Sequence, residues 1–584
     1  MDASSKSAAP RGSDHLALDC RAMNFYRIDR GLQDLLKLYV DPKMRAHFEP
    51  HYDRLGELAG GKLDELAEVA DKHAPVLHAR DRFGRDEDWI EYHPAYREME
   101  QIAFGDFGLH AMSHRGGVLG WPAPLPPIAK YAFTYLFVQA EFGLMCPVSV
   151  SDTSIYVINR YGSEELKHRL LPRMLSQDLA TMWKGTQFMT EKAGGSDVGA
   201  LETTARNEDS IWRLYGDKWF CSHADADVAL LLARPEGAAN GTRGLALFAL
   251  PRRLEDGARN RYRIVRLKDK LGTKSMASGE IMLDGAVAYL VGDVHNGLKQ
   301  MMDQVNLSRL SHGVRAAAMM RRCLNESLQV ARTRNAFGKK LIEMPLVRKQ
   351  LMKIIVPTEQ ALSMYAYTAD VMGRANQGEE GAAEVLRLLT PLYKFRACRD
   401  NIRVATGAME MRGGNGYIED FVNARLVRDA HVGVLWEGTS NIAALDAIAR
   451  AVGKSRAHEA LAGSLKTLVR ESSNVPEAYR SRLDAMVDKV TAFATEAASR
   501  GENEDWARVA AGALYHATSA VLMAWEASRA NNGKRLLLSR MILEHRLTAE
   551  DPLATRDHRW ESRAADQLLR ESDVPLAEAV PLIA

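Results

Sequence analysis

The chain has 584 residues, 46% of them hydrophobic and 26% charged, which fits a soluble globular protein and excludes a disordered, collagen-like or coiled-coil chain. Lys and Arg number 77 against 75 Asp and Glu, a formal net charge of +2, so the chain as a whole offers no field for nucleic acid or an anionic membrane. Five widely spaced cysteines form no C-x-x-C pair, no leader-like apolar segment follows Met1, and no run reaches the roughly 18–20 apolar residues of a membrane span, so a cytoplasmic protein with no membrane association is expected.

Residues 1–180 read as a mostly helical N-terminal domain. Phe25, Leu32, Leu35, Leu36 and Leu38 keep helical spacing, and Asp41-Pro42 and the Pro-rich Trp121–Pro127 stretch punctuate it. Ser163-Glu164-Glu165 before Leu166 marks a helix start. Near Met182 the pattern becomes period-2. In residues 181–295, strands are predicted around Trp212, Leu214 and Trp219-Phe220, then at Val228–Ala233, Gly244–Leu250, Tyr262–Leu267 and Glu280–Leu283. Gly216-Asp217, Asp256-Gly257 and Asp284-Gly285 supply turn chemistry, and strands so short and close predict an antiparallel, barrel-like middle domain. Residues 296–453 return to helix, at Leu298–Arg334, Leu346–Asn376, Ala382–Met411 and Trp436–Val452, and an additional helical block fills 454–584. The fold class is α+β.

Four segments carry candidate chemistry. The stretch from Gln187 to Asp197, with Met189, Thr190, Gly195 and Ser196, has small residues whose backbone can approach a phosphate or a flat ring; it also reads as an ordinary surface loop. Arg332-Thr333-Arg334, with Phe337-Gly338 following, is either a cationic arm for a pyrophosphate or a solvated helix end. Gly413-Gly414-Asn415-Gly416 lacks the preceding strand of a dinucleotide fingerprint and reads as a helix C-cap. Trp436-Glu437-Gly438-Thr439-Ser440-Asn441 sets a carboxylate between an aromatic and a glycine, as a tuned acid or as a cap. The histidines show no ligand spacing, so no metal is expected.

Taken in this order, the segments resemble the acyl-CoA dehydrogenase superfamily. Met189–Asp197 reproduces its M-T-E-x-x-x-G-S-D signature, and Lys218-Trp219-Phe220-Cys221-Ser222-His223 echoes K-x-W-I-T-N. Arg334, Phe337 and Gly338 match R-x-x-F-G; Gly413–Tyr417 matches the glycine turn; Arg428-Asp429-Ala430 and Glu437–Ser440 match R-D-A and E-G-T-S. Within the superfamily the chain is similar to the AidB-like, alkylation-response branch. The resemblance implies a helical N-terminal domain, a β-barrel-like middle domain, a C-terminal four-helix bundle and an extra helical block.

It further implies FAD, an acyl-CoA substrate, an electron-transferring flavoprotein as acceptor, and a homodimer or homotetramer. Glu437 is implied as the base that removes the α-proton while flavin N5 takes the β-hydride, leaving a trans-2-enoyl-CoA. Gln187, Met189, Thr190, Gly195, Ser196, Phe220, Ser222, Arg334, Phe337, Gly414, Gly438, Thr439 and Asn441 are the implied cofactor-binding residues, and Arg309 and Trp436 the substrate-binding ones. Some relatives place the base immediately before the arginine at 309; here that residue is Ser308, which cannot serve. Pro345, Arg348, Glu410 and His223 depart from the family pattern.

Two alternatives stay open: an AidB-like DNA-associated flavoprotein with little turnover, and a flavin oxidase or monooxygenase on the same fold. Residues 454–584 carry 18 Lys and Arg against 19 Asp and Glu, which disfavours DNA as a partner, although Lys534-Arg535 with Arg540 form a local basic cluster.

Overall fold

The computed structural model describes residues 17–499, 501–549, 553 and 559–583. Side-chain caps begin the first helices. Asp29 accepts the Leu32 N–H at 2.9 Å and opens α1 (Arg30–Tyr39), which buries Leu32, Leu35 and Leu36. Asp41 caps α2 (Pro42–Gly60), and Pro42 presets its first turn. There follow α3 (Lys62–Lys72), a hairpin of β1 (Val76–Arg80) and β2 (Asp86–Glu91), α4 (Pro94–Glu100), α5 (Pro127–Val138), α6 (Met145–Tyr161) and α7 (Glu164–Met174). Ser163 accepts the Leu166 N–H at 3.2 Å, so the helix start read at Ser163 is found there.

The β1–β2 hairpin departs from the helical reading, and its anchor is tertiary. Buried Asp88 accepts hydrogen bonds from Arg259 at 2.7 Å and from the Ile264 N–H at 3.2 Å, both supplied by the middle domain. No local pattern signals that contact.

The middle region holds β3 (Gly185–Phe188), β4 (Thr204–Glu208), β5 (Ile211–Ser222), β6 (Val228–Pro235), β7 (Ala246–Pro251), β8 (Tyr262–Leu267) and β9 (Ser278–Leu290). Pairings β6–β4, β4–β5, β5–β9, β9–β7 and β7–β6 close a ring, with β3 beside β6 and β8 beside β9. Two pairings are parallel, β4–β6 within the ring and β3–β6 beside it, where the sequence predicts antiparallel strands alone. Successive residues of a strand point to opposite faces. Ala229, Leu231 and Ala233 of β6 therefore join the main core, while Val228, Leu230 and Leu232 pack on α6 and α7. Burial on both faces makes β6 a continuous apolar run.

The chain then enters α8 (Gly297–Thr333), α9 (Pro345–Asn376) and α10 (Ala382–Arg412), followed by α11 (Val422–Ala430) and α12 (Ser440–Leu445). A Cβ at Gly313 would lie 2.4 Å from the Tyr393 ring, so glycine lets α8 and α10 approach closely. A tight hairpin, Asn335–Ala336 against Lys339–Lys340, follows α8, with Phe337 and Gly338 at positive φ in its turn.

The C-terminal block comprises α13 (Ala457–Glu471), α14 (Glu477–Ser499), α15 (Ala507–Ala530), α16 (Gly533–Ile542), α17 (Arg559–Leu569) and α18 (Leu576–Ala579). It docks on α9 through Gln360–Ser519 and Ser363–Glu526 hydrogen bonds, both 2.8 Å. The basic cluster read at 534–540 is largely spent inside the fold. Arg535 is 3% exposed and pairs with Glu526 at 2.7 Å; Arg540 donates to the Leu582 carbonyl and Lys534 to the Arg570 carbonyl. Among the described residues no helix is long and apolar enough to cross a membrane.

Candidate active site

The segment read as a helix from Trp436 turns first. Glu437 and Gly438 take φ values of 56° and 94°, and α12 begins only at Ser440. Left-handed geometry is uncommon for a glutamate and persists only where neighbours enforce it. Arg309 Nε donates to the Glu437 carbonyl at 3.1 Å, and Lys394 donates to the Gly438 carbonyl. Arg309 is itself held by buried Asp446 at 2.6 Å, which also receives Arg387 at 2.6 Å.

The turn delivers the Glu437 carboxylate to the junction of β3, α8 and the loop before α12. Oε1 accepts from Gln187 Nε2 at 2.6 Å and from Ser308 Oγ at 2.9 Å. Among the described residues none donates to Oε2. Loss of solvation raises the Glu437 pKa above the usual carboxylate range, against the Ser308 hydrogen bond and the charges of Arg309, Lys394 and Arg315, which lower it. The residue nevertheless keeps part of its surface open. Trp436 walls one side, stacked on Phe142 at 6.5 Å and met edge-on by His312 at 5.5 Å.

A shelf of small, hydroxyl and aromatic residues adjoins this group. Glu191 fixes the loop after β3 through Lys218 and Thr203, both at 2.5 Å, and the Glu202 N–H at 2.6 Å. A Cβ at Gly195 would lie 2.8 Å from Thr190 Oγ1, so glycine lets the loop fold over Thr190. Met189, Thr190 and Ser222 are half-buried, Ser196 is exposed, and Phe220 is 55% exposed although it sits within a strand. Gln187 Oε1 is buried without a partner. An orphaned amide oxygen, small hydroxyl residues and a bared aromatic fit a heteroaromatic ring system.

The structure thus brings Gln187, Arg309, Trp436, Glu437 and Gly438 together, with Thr439 and Asn441 exposed on the next turn. It does not bring Arg334, Phe337 or Gly414 to them. Arg334 ends α8, Phe337 is 94% exposed at the hairpin tip, and Gly414 follows α10. Ser308 and Arg334 are separated by roughly 40 Å at the helical rise of 1.5 Å per residue. A cavity of about 480 Å³ lined by Trp183, Lys184, His223, Asp225 and Asp227 shares no lining residue with the Glu437 group.

Sequence reading missed Lys394, Asp446, Phe142 and His312. Each lies in a helical or apolar stretch with no motif around it, and only their convergence in space reveals them. Ser308 is set aside in the sequence as no base, yet it donates to Glu437.

A closed β-domain clasped between two helical layers, with a carboxylate half-buried at its seam, defines the class of fold. The chain matches "Acyl-CoA dehydrogenase, C-terminal domain" over residues 295–453, "Acyl-CoA dehydrogenase, middle domain" over 186–286, and "Adaptive response protein AidB N-terminal domain" over 17–179. It is 30% identical over 571 residues to acyl-CoA dehydrogenase family member 11 of Caenorhabditis elegans, covering 94% of this chain and 91% of that one. It is 32% identical over 396 residues to the putative acyl-CoA dehydrogenase AidB of Escherichia coli K12, covering 66% and 70%. Caenorhabditis elegans ACDH-11 in complex with C11-CoA superposes with a TM-score of 0.85 at 26% identity, covering 96% of this chain and 97% of that one. The chain belongs to the acyl-CoA dehydrogenase superfamily, in its AidB-like branch.

Proposed function

We propose that this chain is an FAD-dependent acyl-CoA dehydrogenase that converts an acyl-CoA thioester to its trans-2-enoyl-CoA. The supporting observation is the Glu437 carboxylate, with Oε1 anchored by Gln187 and Ser308, Oε2 without a partner, and proton affinity raised by burial. A carboxylate so placed takes a proton from a carbon acidified by a neighbouring thioester carbonyl. The Glu437 main-chain N–H is the donor we assign to that carbonyl, with Arg309 bracing the same residue through its carbonyl oxygen. Arg309 shapes the site from behind. Trp436 and Phe142 exclude water beside the base.

We assign Gln187, Met189, Thr190, Gly195, Ser196, Phe220, Ser222, Gly438, Thr439 and Asn441 to FAD on this chain. Arg334, Phe337 and Gly414 serve the FAD of a second copy, because their distance along α8 and α10 keeps them from the site of their own chain. FAD, when bound, supplies the two-electron acceptor for the β-hydrogen. A homodimer or homotetramer follows, with an electron-transferring flavoprotein as the acceptor. The relative crystallised with C11-CoA supports a CoA thioester as substrate.

The test is anaerobic mixing of the FAD-loaded protein with a panel of acyl-CoAs. Bleaching of the flavin band by at least one of them is expected; a panel without effect removes the proposal. The AidB N-terminal match favours a second reading, an AidB-like DNA-associated flavoprotein with little turnover, which predicts that silent panel together with salt-sensitive duplex binding.

A further inference from the structure

Two turns of α8 run on from the base. Ser308 touches Glu437, His312 meets Trp436, and the Arg315 guanidinium lies 5.3 Å from the centre of the Phe142 ring that stacks on Trp436. Spacings of four and three residues place all three on one helix face. The helical rise puts Arg315 about 10 Å beyond Ser308.

Arg315 is 1% exposed, and its Nε and Nη1 have no hydrogen-bond partner. The other buried arginines are paired. Arg309 meets Asp446, Arg321 meets Asp29 and Glu359, Arg322 meets Asp64 and Glu326, and Arg412 meets Glu326. Among the described residues no Asp or Glu forms an ion pair with Arg315. Its polar neighbour is the Cys146 thiol, whose own ionisation is opposed by burial. Glu437, whose charge reaches it, already accepts hydrogen bonds from Gln187 and Ser308.

The groups around it add no negative charge. His312 has an unpartnered Nδ1 and is held neutral by burial and by the charges of Arg315 and Lys394. Lys270, whose charge also reaches Cys146, donates to the Thr273 and Met276 carbonyls and the Ser278 hydroxyl. A buried guanidinium without an acid is costly, and a buried donor without an acceptor calls for one.

We propose that Arg315, with His312, recognises a carboxylate at the far end of the acyl group, so that the preferred substrates are CoA thioesters of dicarboxylic acids. The inference rests on the base assigned to Glu437. The thioester carbon then sits at the base, the methylenes run past Trp436 and Phe142, and the terminal carboxylate accepts charge-assisted hydrogen bonds from Arg315. An apolar chain end would leave those donors unpaired.

Binding is measured by titration calorimetry on the full-length, FAD-loaded Glu437→Gln protein, which reads affinity without turnover. Adipyl-, suberyl- and sebacyl-CoA are compared with hexanoyl-, octanoyl- and decanoyl-CoA. At least one dicarboxylic thioester should bind about tenfold or more tightly than its partner of equal length, the scale of one hydrogen bond to a charged group. Arg315→Met should abolish the preference while monoacyl binding persists, and Arg315→Lys should retain part of it. Should Arg315→Met fail to fold, Arg315→Gln carries the same comparison.

Equal affinities at every length, or a preference that survives loss of the guanidinium, would overturn the inference. Bleaching of the wild-type protein by monoacyl thioesters without a dicarboxylic preference sinks this inference alone. A preference without bleaching sinks the dehydrogenase reading alone.

Discussion

Replacing Ser308 by alanine tests how the Glu437 carboxylate, the proposed base, is tuned. Ser308 Oγ donates to Glu437 Oε1 at 2.9 Å, which favours the charged carboxylate and lowers a pKa that burial has raised. A hydrogen bond to a charged group is worth about 1.5–3 kcal/mol. Gln187 still donates to the same oxygen at 2.6 Å, so the loss should fall at the low end of that range. At about 1.4 kcal/mol per tenfold change in proton affinity, the Ser308→Ala rate profile should move to alkaline pH by about one unit. The rate of anaerobic flavin reduction is measured against pH for both proteins. In each it should rise as Glu437 loses its proton, and the mutant should rise later towards a similar plateau. An unmoved profile, or one displaced to acid pH, would refute this tuning.

Two further predictions concern the supports of the site. Asp446→Asn leaves Arg309 and Arg387 without their shared carboxylate in a buried setting, so thermal or urea unfolding should show a loss of about 3 kcal/mol or more and flavin reduction should slow. Phe337→Ala with Arg334→Ala, both exposed on the single chain, should leave the melting temperature of the apoprotein within about 2 °C while lowering the FAD retained per chain; unchanged FAD content would remove these residues from the second copy's cofactor site.

Much of this architecture is legible in the residues. The long helices announce themselves by periodicity: α8, α9 and α10 begin and end within a residue or two of the positions read from sequence. Tyr262–Leu267 and Val228–Ala233 read as strands because β-branched and apolar residues are bounded by turn chemistry. Other features depend on partners distant in sequence. The β1–β2 hairpin is held by Arg259 and Ile264, more than 170 residues away, and the short β3 and β4 are stabilised by pairing with β6.

Glu437 is findable through its motif, but its left-handed turn is not. That conformation is imposed by Arg309 and Lys394, which arrive from two other helices. Arg535 misleads for the same reason. Beside Lys534 it reads as surface charge, and only the fold reveals that Glu526 lies across from it on α15.

The most direct measurement of the central claim is anaerobic rapid mixing of Glu437→Gln with whichever acyl-CoA bleaches the wild-type flavin. The amide keeps the shape of the side chain and removes the base, so the loss belongs to the chemical step. The mutant should hold FAD at the wild-type stoichiometry, bind the thioester, and show flavin reduction slowed by at least a thousandfold. Reduction at the wild-type rate, with FAD and thioester bound, would contradict the account and place the base on another residue.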